Sequence, residues 1–152
     1  MKILFVCTGN TCRSAMVEAA ARKRIADMPD QYKDFTVSSA GVMCAGSSPA
    51  SDNAILAAEQ NGCDLSAHIA KQVTEGLLAQ ADYIFVMTLR HKLMLEWMAP
   101  QYSDKIFLFN AFAEGSPDAA DVQEPYGGSL AEYMQCFDVL SAGVTQILEK
   151  LQ

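Results

Sequence analysis

The order of apolar segments predicts an α/β fold, a doubly wound parallel sheet with helices on both faces, in a single domain over residues 1–152. Three observations predict it. Short, continuous apolar runs recur along the chain, as strands buried on both faces require. Longer segments with an apolar repeat close to 3.6 residues lie between them. The two kinds alternate, which implies parallel strands joined by helical crossovers.

Each element follows in order. Lys2 to Val6 is the first strand, and helical periodicity follows directly from about Ser14 to Asp27. Phe35 to Ser38 is a short second strand, ending at Ala40-Gly41. Ser48 is read as an N-cap with Pro49 at the first helical position, of a helix reaching about Asn61, with Gly62 just beyond its end. Thr74-Glu75 opens a short helix. Tyr83 to Met87 is a third strand, Thr88 caps a helix that stops before Pro100, and Lys105 to Phe109 is a fourth strand. Glu114 to Ser129, rich in Gly, Pro and Asp, is read as a loop. The last helix carries Leu130, Tyr133, Met134, Phe137, Leu140, Val144, Ile147, Leu148 and Leu151 on one face. No repeat, low-complexity tract or linker interrupts the pattern.

Composition narrows the function. Hydrophobic residues make up 51% and charged residues 19%, an ordinary globular balance. The net charge of −7 argues against a nucleic-acid partner, which needs clustered Lys and Arg. No apolar run approaches the roughly 20 residues that span a bilayer, so no membrane is expected. Ile3-Leu4-Phe5-Val6 is too short for a signal-peptide core, and a cytoplasmic location is expected. The cysteines at 7, 12, 44, 63 and 136 are odd in number and show no C-x-x-C spacing, so neither a disulfide framework nor a structural metal is expected.

The strongest chemical signal is Cys7-Thr8-Gly9-Asn10-Thr11-Cys12-Arg13-Ser14, which follows a buried strand and opens a helix. A loop in this setting turns backbone N–H groups toward an anion, and the helix dipole adds to the attraction. Gly9 is expected to take backbone angles that a Cβ forbids. Arg13 is a planar fork that can hold two phosphate oxygens. Cys7, at the floor of this electropositive cup, is expected to have a lowered pKa and to act as the nucleophile. Ser14 can donate a hydrogen bond to the thiolate and assist its departure. Read alone, Cys7 would be a core cysteine and Arg13 a surface residue; the strand before and the helix after favour the anion loop.

The second signal is Glu124-Pro125-Tyr126-Gly127-Gly128. A departing group needs a proton, and a carboxylic acid over the cup can supply it and then activate water. Pro125 stiffens the backbone beside Glu124, and Tyr126 can wall the substrate slot. Alone, this stretch reads as a surface turn; Asp118 and Asp121 are lesser candidates for the acid. Ser39, Asn10 and His68 can form a network that supports the loop, His68 being better read as structural. Cys12 is either a packing residue or a thiol able to pair with Cys7 on oxidation. Cys44, Cys63 and Cys136 read as small apolar residues, and His91 is assigned no role.

On these motifs, together with Ser39-Ala40-Gly41, the His68 region and Lys71-Gln72-Val73, the chain resembles the low-molecular-weight protein tyrosine phosphatase family along essentially its whole length. The resemblance implies a four-stranded parallel sheet of the phosphotyrosine protein phosphatase I-like kind. It also implies a two-step phosphocysteine mechanism without metal or other cofactor. Within the family the chain looks most like the protein-arginine phosphatase branch. Thr11 stands where tyrosine-directed members usually carry a bulky aliphatic residue, and in the arginine-directed members a threonine there reads the guanidinium. Gly127-Gly128-Ser129 and the lack of an aromatic residue from Val42 to Ser48 point the same way. Glu124 departs from the family's usual Asp, with a reach one methylene longer.

The expected partners are phosphorylated proteins and inorganic phosphate, with phosphoarginine favoured and phosphotyrosine the alternative. Arsenate reduction ranks lower, because Tyr83 to Lys92 holds no relay cysteine. A phosphoprotein-binding module without turnover ranks lower too, since both the thiol and Arg13 are present.

Overall fold

A computed structural model describes all residues from Met1 to Gln152. Strands β1 (Lys2–Cys7), β2 (Thr36–Gly41), β3 (Tyr83–Val86) and β4 (Ile106–Leu108) form a parallel sheet in the order β2-β1-β3-β4. Helices α1 (Arg13–Asp27), α2 (Asp52–Gln60), α3 (Glu75–Gln80), α4 (Leu89–Met98), α5 (Phe109–Glu114) and α6 (Leu130–Lys150) connect and cover it, with a 3-10 turn at Pro100–Lys105.

The pleat of β1 divides the core. Ile3, Phe5 and Cys7 face the layer built from α1, α2, α5 and α6, while Leu4 and Val6 face the layer of α3 and α4. All five are buried, which is why this strand reads as a continuous apolar run rather than an alternating one. From β1 the chain crosses to β2 on one side and later returns to β3 on the other. The carboxyl end of β1 is therefore the switch point, where a crevice opens in such sheets. Cys7 ends the strand there. No helix is long and apolar enough to cross a membrane.

The second strand ends at Gly41, as expected, in register with β1 as far as the pair Cys7–Gly41. Two other stretches depart further from the sequence expectation. The second long helix starts at Asp52, with Ser51 as its N-cap, not at Pro49. Residues 48–51 are held outside the helix by long-range bonds: Ala70 N–H donates to Ser48 O (2.8 Å) and Ser51 N–H to Thr11 O (3.0 Å). The fourth strand stops at Leu108, and Phe109–Glu114 is a helix that the sequence reading did not anticipate. Gly115 ends it in the left-handed conformation.

Candidate active site

The phosphate loop is built by the chain leaving β1 and entering α1. Cys7 Sγ lies 2.8 Å from Ser14 Oγ, across the loop's two ends. Cys12, at the N-cap of α1, makes no side-chain cap, and the first turn carries no acid. No side chain at the helix start therefore caps its leading N–H groups, and that of Ser14 faces the Cys7 sulfur.

The loop's shape depends on Asn10, at φ 58°, the left-handed region. The expected special backbone at Gly9 is therefore found one residue later, on the side chain best able to tolerate it by local hydrogen bonding. Asn10 Nδ2 donates to Ser14 Oγ and to Ser39 Oγ, each at 2.8 Å, and Asn10 Oδ1 accepts from Lys71 N–H at 3.0 Å. His68 Nε2 lies 2.7 Å from Asn10 O, a carbonyl that can only accept, so this nitrogen carries the proton. Ser39 in turn donates to the buried Glu18 carboxylate. The structure brings Ser39, Asn10 and His68 together, and adds Glu18, which the sequence reading missed. Its signal was available: a carboxylate one helical turn after Ser14, within the buried stretch Arg13–Ala21.

Arg13 is 3% exposed. Nη1 donates to Val122 O at 3.1 Å, and Nη2 donates to Glu124 Oε2 at 2.7 Å and lies 3.5 Å from Thr8 Oγ1. Its Nε–H is buried and has no partner. A guanidinium so placed is oriented by the acid loop, with its Nε–H among the donors left for an anion.

Burial pushes the Cys7 thiol up from its ordinary value. The Ser14 hydroxyl, the Ser14 and Asn10 backbone groups and the Arg13 charge pull it down but do not win in this geometry. The expected depression of the thiol is not met here. The other thiol in the loop, Cys12, is buried, 3.3 Å from both Ser51 Oγ and Tyr133 OH. Burial pushes Tyr133 up to about 12, with the Cys12 contact adding to it, and burial does the same to Cys136.

The acid loop turns on Gly127 and Gly128. An added Cβ on Gly128 would meet Pro125 O at 2.8 Å, so the second glycine is a packing requirement. Glu124 Oε1 accepts from Tyr126 N–H at 3.0 Å, while the Tyr126 side chain stands 75% exposed on the rim. Asp121 is occupied elsewhere, accepting from Leu89 N–H at 3.0 Å. Thr11, half-buried, has only Cys12 Sγ within reach of its hydroxyl, at 3.8 Å. His91, given no role from sequence, is buried with Nε2 2.9 Å from Thr8 Oγ1. Its signal was its place in the first turn after β3, at the carboxyl edge of the sheet.

Comparison with known proteins agrees with this architecture. Residues 2–152 match the model of the low molecular weight phosphotyrosine protein phosphatase family. The chain belongs to that family, and it is a cysteine-dependent protein phosphatase, a hydrolase. It is 36% identical to a protein-arginine-phosphatase of Bacillus subtilis over 100% of this chain and 97% of that one. It is 30% identical to a probable low molecular weight protein-tyrosine-phosphatase, EpsP, of Ralstonia solanacearum, over 93% of this chain and 90% of that one. The arginine phosphatase YwlE from Geobacillus stearothermophilus superposes with a TM-score of 0.90 at 34% identity, covering 99% of this chain and 92% of that one. A Cys-to-Ser variant of YwlE with a phosphorylated active-site serine superposes with a TM-score of 0.91 at 36% identity, covering 99% and 95%.

Proposed function

We propose that this phosphatase acts on phosphoarginine side chains of proteins, with Cys7 as nucleophile, Arg13 as phosphate clamp and Glu124 as the group that gives and takes the proton. The observation that carries the chemistry is the buried Arg13 guanidinium, its Nε–H unpaired, beside a loop that sets Cys7 Sγ 2.8 Å from Ser14 Oγ. The arginine preference is supported by Thr11, whose hydroxyl has no oxygen or nitrogen partner, and by the two protein-arginine-phosphatases among the relatives.

The reactive form holds one proton between the two key groups: on the Glu124 carboxyl, with Cys7 a thiolate. An arriving phosphoryl group takes the Arg13 donors and the loop N–H groups, which releases Glu124 from its ion pair. Sulfur attacks phosphorus, the phosphorus–nitrogen bond breaks, and the guanidine nitrogen leaves with the Glu124 proton. The Glu124 carboxylate then removes a proton from water, whose oxygen attacks phosphorus. The sulfur–phosphorus bond breaks, Cys7 leaves as a thiolate steadied by Ser14, and inorganic phosphate departs. Thr8, Gly9, Asn10 and Cys12 frame the cup, and Thr11 and Tyr126 meet the leaving group. The substrates are phosphorylated proteins of the cytoplasm, where the Cys7 thiol stays reduced.

Phosphate release from matched phosphoarginine and phosphotyrosine peptides, without added metal, tests this reading. Arginine-selective release is expected, cut roughly 10³-fold or more in Cys7→Ser and by about 10²–10⁴ in kcat in Glu124→Gln. Thr11→Ile is expected to shift the preference toward the tyrosine peptide. Tyrosine-selective release by the wild type would remove the arginine assignment and favour the phosphotyrosine reading.

A further inference from the structure

One buried imidazole touches the phosphate loop from outside the groups named as catalytic. His91, in the first turn of α4, is 3% exposed, and its Nε2 lies 2.9 Å from Thr8 Oγ1. Its Nδ1 is buried without a partner. These two facts favour one tautomer. A proton on Nδ1 would leave a buried N–H unmet, which is rare and destabilising. A proton on Nε2 leaves only a lone pair unmet and makes Nε2–H the donor to Thr8. Arg13 Nη2 approaches the same oxygen at 3.5 Å, and it too can only donate. With N–H groups facing both lone pairs of Thr8 Oγ1, the hydroxyl's own proton must turn elsewhere. The Thr8 side chain is exposed at the rim of the cup, beside the guanidinium.

We propose that His91 is a positioning residue for phosphoryl binding: by donating to Thr8 it holds that hydroxyl against Arg13 as an acceptor, so that the hydroxyl proton is offered to a phosphoryl oxygen. His91 itself does not touch the substrate. Its neutrality suits the task, since burial, then Arg13, lower its pKa to about 4, with Arg90 adding to and Asp121 opposing the shift. The inference rests on the Arg13 clamp proposed above but not on the choice of phosphoarginine.

The test is binding of inorganic phosphate to the full chain by calorimetry, with turnover of an aryl phosphate alongside. His91→Leu is expected to weaken phosphate binding and raise KM by about tenfold, with kcat changed less than about twofold. His91→Gln, whose amide N–H can reach Thr8, restores most of the affinity. Thr8→Val weakens phosphate as much as His91→Leu does, and adding His91→Leu to Thr8→Val changes nothing further. Equal losses from His91→Leu in the two backgrounds, or reduced stability with unchanged phosphate affinity, would overturn the proposal. If His91→Leu does not fold, Thr8→Val decides alone, because its side chain is exposed: unchanged affinity overturns the proposal. Wild-type affinity in Arg13→Ala would instead sink the clamp, and this inference with it.

Discussion

At the scale of single residues, the site depends on polar groups that burial makes expensive and hydrogen bonding makes tolerable. Asn10 is fully buried and left-handed, and every polar atom of its side chain is bonded. Arg13 Nε and His91 Nδ1 are buried without partners, and His91 gives a pH signature. Its pKa is lowered from 6.5 to about 4, so the unfolded chain takes up a proton first as pH falls. The stability tied to neutral His91 is complete above about pH 6.5 and declines to a floor near pH 4, by roughly 3 kcal/mol at most. His91→Gln should lose this slope, leaving only the carboxylate contribution common to both proteins. Urea midpoints at pH 7 and 4.5 for the two proteins check it, and parallel pH profiles would refute it. The Cys7 loop was legible because Cys, Gly, Arg and Ser carry their chemistry in their type. Glu18 and His91 carried only a positional signal, because each matters through a partner on a distant element: Ser39 and Thr8.

At the scale of elements, the loop is shaped from behind by β2. Gly41 lies across from Cys7, and an added Cβ there would meet Thr8 O at 2.5 Å and Asn10 N at 3.0 Å. Both are backbone atoms of the phosphate loop and cannot swing aside. Gly41→Ala is expected to destabilise the protein by about 1–3 kcal/mol and to lower kcat/KM for any phosphoryl substrate. Denaturant unfolding and steady-state kinetics on the same preparation measure both, and wild-type kcat/KM would show that the loop does not need this contact. The elements misread from sequence have two causes. Ser48 and Pro49 form a good local helix start, but the bonds to Ala70 and Thr11 override it. Phe109–Glu114 follows directly on an apolar strand, and six residues are too few for a helical period to show.

At the scale of the molecule, an acidic chain binds an anion. The charge of −7 opposes phosphate at long range, so the proposed site must draw its affinity from the buried Arg13, the uncapped start of α1 and the Thr8 hydroxyl. Binding to the native state alone raises stability by about 2.7 kcal/mol at 100 times the dissociation constant, a rise of several degrees in Tm. Inorganic phosphate should therefore raise Tm in the wild type and leave it unchanged in Arg13→Ala. An equal rise in both would show that phosphate binds elsewhere.

The sequence by itself determined the alternation of strands and helices, the placement of the Cys7 loop at the end of a buried strand, and the identity of the groups in it. These follow from local periodicity and from residue chemistry. Only the tertiary structure decided that Glu124 closes on Arg13 at 2.7 Å, that Asn10 rather than Gly9 takes the left-handed turn, and that His91 reaches Thr8 from 83 residues away. It decided them because each depends on distant segments meeting at the carboxyl edge of the sheet. The strand order β2-β1-β3-β4 brings them there, and no local pattern records it.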